Sequence, residues 1–120
     1  RLTLENDDKS YSPQDLLPVC RDMDIPLVYD VHHHRCLKDT LSISDATCLS
    51  ADTWNREPLF HISSPINGWQ SADMRKHHDF IDTNDFPRIW LSMKITIEVE
   101  AKAKERAVLK LMKELSCRQK

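Results

Sequence analysis

Four short apolar runs are spaced along the chain, and a stretch with helical periodicity trails each of them. In Arg1–Asn6, Leu2 and Leu4 alternate with polar neighbours, the period-two signature of a strand, and the run closes on Glu5. Leu27–Val31 is apolar apart from Asp30, as a parallel strand buried on both faces should be. Leu59–Ile62 and Ile95–Val99 read as the third and fourth strands. Between the first two, Ser12-Pro13-Gln14-Asp15 has the grammar of a helix start, with a hydroxyl cap, Pro in the first helical position and an acid behind it. Leu16, Leu17, Val19, Cys20 and Met23 then give that helix an apolar face. Pro18 lies inside it, lacks an N–H to donate, and is expected to kink or shorten it. Ser42 or Ser44 opens a second helix running through Ala46, Leu49 and Trp54. Ser64–Asp73, with Pro65, Asn67, Gly68 and Trp69, reads as a long loop, and Met74–Ile81 and Phe86–Leu91 as short helical pieces. Lys102–Leu115 is the plainest helix, with Ala107, Val108, Leu111, Met112 and Leu115 on one side.

Strand–helix alternation predicts an α/β fold: a parallel sheet with right-handed crossovers, made of four of the units from which a TIM barrel is built. A complete barrel takes ~250 residues, and the 120 present suffice for half of one. A half barrel has two open sheet edges, which proteins normally cover. The missing half of the barrel, or a second chain, is therefore an expected partner. The chain opens on Arg1 inside a strand, without an initiator Met, and reads as a fragment or an interior start.

Composition narrows this little. A net charge of −2 gives no electrostatic prior for nucleic acid, although bound divalent ions would add local positive charge. No apolar run approaches the ~20 residues of a membrane span. A single glycine, Gly68, rules out a glycine-rich phosphate loop. Cys20, Cys36, Cys48 and Cys117 are scattered without zinc-finger spacing. They suit free thiols in a reducing cytoplasm, with Cys20 facing the core.

The chemistry lies at the strand ends. Glu5, Asp30, His61 and Glu100 each stand at or near the carboxyl end of a different strand, where barrels build their active sites. Taken singly they are ambiguous. His61 alone reads as a hydrogen-bonded interior histidine, and Glu98 shares a face with Glu100. Asp30 says more, because a carboxylate ending a buried apolar strand needs a partner or a metal. His32, His33 and His34 follow it. An extended chain would put His32 on the face of Asp30, and a turn after Val31 would bring His33 to it instead. Burying several carboxylates together costs several kcal/mol per uncompensated charge, so a divalent cation is the simplest answer. Carboxylates with neutral imidazoles favour Mn²⁺, Zn²⁺ or Fe²⁺ over Ca²⁺, and a cluster of such ions points to phosphate-ester hydrolysis. Arg35, Lys38, Arg75 and Lys76 lie near the expected mouth and could meet phosphates. Trp69 could stack on a base, or serve as core or lid.

The words LTLENDD, SPQDLL, PLVYDVHHH, FHISSP, RKHHDFID and EVEAKAKERAVL occur in that order along nearly the whole chain. On these motifs the chain resembles the ultraviolet-damage endonuclease family, the UvdE or UvsE type. The resemblance implies a DNA repair enzyme with a TIM-barrel fold that nicks damaged double-stranded DNA 5′ to photoproducts, using a metal cluster with manganese in the best-known members and Zn²⁺ as an alternative. Residues 1–120 would be the carboxyl-terminal half of that barrel, inactive alone. By motif, Glu5 would bridge two ions, and Asp30, His61 and Glu100 would complete the shell of one of them. His33 and His77 would serve a third ion, with Asp79 as an alternative to His77. Leu59 stands where the family often has a lysine. Two further readings remain open at this point: a metal-dependent sugar isomerase or epimerase on a related barrel, and a non-catalytic half barrel.

Overall fold

The computed structural model describes residues 2–118. Four strands, β1 (Leu4–Glu5), β2 (Leu27–Asp30), β3 (Leu59–Ile62) and β4 (Thr96–Val99), form one parallel sheet in the order β1-β2-β3-β4. Helix α1 (Pro13–Met23) links β1 to β2, while α2 (Val31–Cys36) and α3 (Ile43–Ala51) link β2 to β3. A long segment with two 3₁₀ turns, Thr83–Asp85 and Arg88–Ser92, leads to β4, and α4 (Glu105–Arg118) follows. Sequential strands lie side by side and every connection crosses over, the topology of half a (β/α)₈ barrel. Among the described residues no helix is long and apolar enough to cross a membrane.

Strand alternation separates two chemistries. One face sends Tyr29, Phe60 and Ile62 into a core with Val31, Ala46, Ile81, Phe86, Trp90 and Leu111. Trp90 is 2% exposed, donates its Nε1–H to Thr47 Oγ1 at 3.0 Å, and meets Phe60 at a tilt and Phe86 edge-to-face. Leu17, Cys20 and Leu27 make a smaller cluster under α1. Along β3 and β4, Leu59, His61, Thr96 and Glu98 are less buried than the residues between them. In a closed barrel this second face would be the interior.

Several elements differ from the sequence expectation. Helix α1 is not ended at Pro18; it runs on to Asp24, which closes it in the left-handed conformation (φ 52°). Its start is a full capping box between Ser12 and Asp15, and burial of Leu17 and Cys20 supports its middle, so one missing hydrogen bond is tolerated. The three histidines are not in a loop: β2 passes directly into α2, because Asp30 ends the strand and caps the helix, its Oδ1 accepting from the His33 N–H at 2.9 Å. Met74–Ile81 is not helical. Its backbone pairs at long range instead, with Lys76 O accepting from Ile66 N (2.9 Å) and His78 N donating to Ser64 O (2.7 Å). The last helix begins at Glu105 rather than Lys102, after Lys104 at φ 53°. The first strand is shorter than expected, and Arg1 lies outside the described residues. The four cysteines are free, with Cys20 buried.

Candidate metal centre

Parallel pairing sets the site. Asp30 is the register partner of His61, and the ladder continues past β4 through the Glu100 N–H to the Ile62 carbonyl at 2.9 Å. Glu5 arrives on the neighbouring β1. Glu5, Asp30, His61 and Glu100 thus each offer one donor atom, and all four atoms lie within 4.8 Å of one another. His61 Nδ1 is 3.1 Å from Glu100 Oε1, 3.3 Å from Glu5 Oε2 and 3.9 Å from Asp30 Oδ2. Despite these distances, His61 Nδ1, Asp30 Oδ2 and Glu100 Oε1 are buried with no hydrogen-bond partner among the described residues. Such atoms ordinarily cost stability unless something satisfies them. Three of them facing one another, two anionic oxygens and a nitrogen, fit a divalent cation that takes mixed O and N donors.

The electrostatics agree with the crowding. Burial pushes the Asp30 carboxyl up to about 7, against the pull of His33. Burial also weakens His61 as a base, but the Glu100 and Glu5 carboxylates outweigh it and hold the imidazole up to about 10. The Glu100 carboxyl is held below its usual range by His61, despite burial. A proton on His61 thus does part of what a cation would do. On its far side His61 Nε2 lies 2.9 Å from Glu98 Oε2. A carboxylate only accepts, so this contact favours a proton on Nε2, and on loss of the second proton Nδ1 would be the nitrogen free to meet an ion, an outer-shell arrangement typical of metal-bound histidine. Sequence reasoning noted only that Glu98 shares a face with Glu100.

The histidine run divides three ways. His33 Nδ1 lies 2.8 Å from the Asn6 carbonyl, 3.3 Å from Asp30 Oδ2 and 3.7 Å from Glu5 Oε2, at the rim of the cluster but outside the tight group of four. His34 faces the core, with Nδ1 2.5 Å from the Tyr29 hydroxyl and Nε2 2.7 Å from Asp39 Oδ1. His32 is fully buried, and its ring meets His77 (centroids 5.4 Å) and Trp69 (5.2 Å). Burial, with the charges of His77 and His33, lowers its basicity. His77 sits on the long segment through a bridge to Pro65, and lines an open cleft with Arg75, Lys76, Glu100 and Lys102. Asp79 is exposed.

Arg75 and Lys76 are exposed, and Arg75 Nε pairs with Asp73 at 3.2 Å. Trp69 is half-buried: its Nε1–H donates to Asp85 Oδ1 at 2.8 Å, and the Arg35 guanidinium lies 5.8 Å from its ring centroid. Arg35 also donates to the Asp85 carbonyl (2.6 Å), and Ser64 Oγ donates to Asp85 Oδ2 (2.6 Å). Sequence reasoning missed Asp85 as the residue that ties this loop to α2, since no local pattern distinguishes it from a solvated acid. It also missed Asn6, fully buried next to Glu5. Leu59, half-buried on the open face, stands two residues before His61.

Comparison with known proteins gives the family. The family model described as UV-endonuclease UvdE matches residues 1–120. The chain is 39% identical over 126 residues to a UV DNA damage endonuclease of Bacillus velezensis, covering 97% of this chain and 38% of that protein. It is 40% identical over 126 residues to a UV-damage endonuclease of Neurospora crassa, covering 94% of this chain and 19% of that protein. The crystal structure of SacUVDE superposes with a TM-score of 0.84 at 31% identity, over all of this chain and 41% of that one. The chain therefore spans well under half the length of these relatives, along one continuous stretch of strands and helices that carries the four-residue cluster, and it belongs to the UV-endonuclease UvdE family.

Proposed function

We propose that this chain is the carboxyl-terminal half of a metal-dependent DNA repair endonuclease that cleaves the phosphodiester backbone 5′ to ultraviolet photoproducts. The observation that carries the reading is the set of buried, unpartnered atoms on Asp30, His61 and Glu100 that face one another beside Glu5. Family membership supports damaged double-stranded DNA as the substrate. Glu5, Asp30, His61 and Glu100 would hold one divalent ion, Mn²⁺ by preference with Zn²⁺ as the alternative, and His33 and His77 would serve a further one. Divalent ions in such a site acidify water and neutralise charge on a phosphate.

The chain's own residues do the rest. Glu98 holds the His61 proton on Nε2. Asp30 Oδ1 is committed to the α2 cap, which leaves Oδ2 for the cluster. Arg75 and Lys76, exposed beside His77, would meet the DNA backbone, and Trp69, half-buried in the same long segment, would pack against a base. The remaining barrel strands would come from the amino-terminal half of a longer protein or from a second chain.

The test is nicking of supercoiled plasmid, irradiated or not, by the full-length protein with Mn²⁺. Relaxation of the irradiated plasmid alone, abolished by Glu5→Gln and Glu100→Gln, is expected. No nicking above background, or equal nicking of unirradiated plasmid, would overturn the proposal.

A further inference from the structure

Asn6 is fully buried immediately after Glu5, yet nothing in the proposed chemistry uses it. Its side-chain Nδ2 donates to the Asp30 carbonyl at 2.9 Å, and its Oδ1 accepts from the Asp30 N–H, also at 2.9 Å. Both main-chain groups of one residue are thereby paired with one side-chain amide. β1 stops at Glu5, so the β1–β2 ladder ends at the Glu5–Val28 pair. Asn6 supplies the next rung with its side chain, one step beyond the last backbone pair. Its own backbone carbonyl is used too, lying 2.8 Å from His33 Nδ1. A carbonyl can only accept, so His33 carries a proton on Nδ1, and in the neutral ring Nε2 is the free nitrogen.

We infer that Asn6 is a positioning residue for the metal centre: it fixes the backbone beneath Asp30, and its carbonyl sets the tautomer of His33. This rests on the reading of the cluster as a metal centre. An apolar residue of the same size would leave the Asp30 N–H and C=O buried and unpaired, free to rotate the carboxylate out of the cluster. Asn is suited to the task because its amide is a donor and an acceptor at once. Asp offers the Asp30 carbonyl no proton and adds a buried charge beside Glu5. His61 is oriented independently, through Glu98. Loss of Asn6 should therefore weaken the Asp30 and His33 side of the site and leave the His61–Glu98 contact in place.

The experiment titrates Mn²⁺ into the full chain and follows free Mn²⁺ by electron paramagnetic resonance, for wild type, Asn6→Ala and Asn6→Asp. Outer-shell partners of metal ligands typically contribute about 10- to 100-fold in affinity. A drop of that size in both variants, with wild-type far-ultraviolet circular dichroism, supports the inference; Mn²⁺ affinity within about twofold of wild type overturns it. A filler role predicts rescue by Asn6→Asp, whose volume is nearly unchanged, whereas the positioning role predicts none. Should both variants fail to fold, the wild-type chain decides by nuclear magnetic resonance. A slowly exchanging Asp30 amide and an Nδ1-protonated His33 are expected, and a fast-exchanging amide or the opposite tautomer overturns the inference. Wild type that takes up no Mn²⁺ would overturn the metal-centre reading beneath it, and that result is distinct from loss in the variants alone.

Discussion

At the scale of single residues, Asp30 does the most. One oxygen caps α2 and the other faces the cluster, so the same side chain ends a strand, starts a helix and charges the site. The site is crowded with protons as well as carboxylates. Asp30 is raised to about 7 and His61 to about 10, so near neutral pH the metal-free cluster holds protons that an incoming cation must displace. Both shifts are upward, and both groups must lose their proton to ligate. Mn²⁺ affinity is therefore expected to rise with pH from about 6 upward, with net proton release at pH 7.5. Calorimetry in buffers of different ionisation enthalpy reads that release directly; binding that is independent of pH would contradict it. The cluster was legible in the sequence because each of its residues stands at or near the carboxyl end of a short strand-like run. Asn6 and Glu98 were not, since their roles depend on partners 24 and 37 positions away that only the folded sheet supplies.

At the scale of elements, capping and packing explain both what the sequence predicts and what it does not. β3 has the bounds read from its short apolar run, and α1 begins at the capping box. Ser12→Ala is expected to cost about 1 kcal/mol, measured as a lower midpoint in denaturant unfolding, because it removes one half of that box. Trp90 lies where the 3₁₀ turn Arg88–Ser92 meets the sheet, and truncation to Ala should cost about 3–5 kcal/mol by the same measurement. Met74–Ile81 misled because long-range backbone partners in Ser64 and Ile66 take hydrogen bonds that a helix would have kept local. Local periodicity carries no record of such competition. The His32–His34 helix was missed for a related reason: its cap is the last residue of the preceding strand, with no loop residue to announce it.

At the scale of the whole molecule, the sheet is open, with four parallel strands in sequential order. β1 and β4 each have one unpaired edge among the described residues, and the face bearing Leu59, His61, Thr96 and Glu98 is only lightly covered. Open parallel edges beside exposed apolar surface favour association. Sedimentation of the isolated 120 residues is expected to show self-association that diminishes when an amino-terminal half barrel is supplied. A well-behaved monomer unaffected by that addition would count against the half-barrel account. The central claim is more local: four strand ends form one cage for a divalent ion. Anomalous diffraction at the manganese absorption edge, from crystals grown with Mn²⁺, tests it most directly. The account predicts a peak enclosed by Glu5, Asp30, His61 and Glu100, about 2.0–2.6 Å from their donor atoms. Manganese bound elsewhere, with nothing between these four side chains, would contradict it.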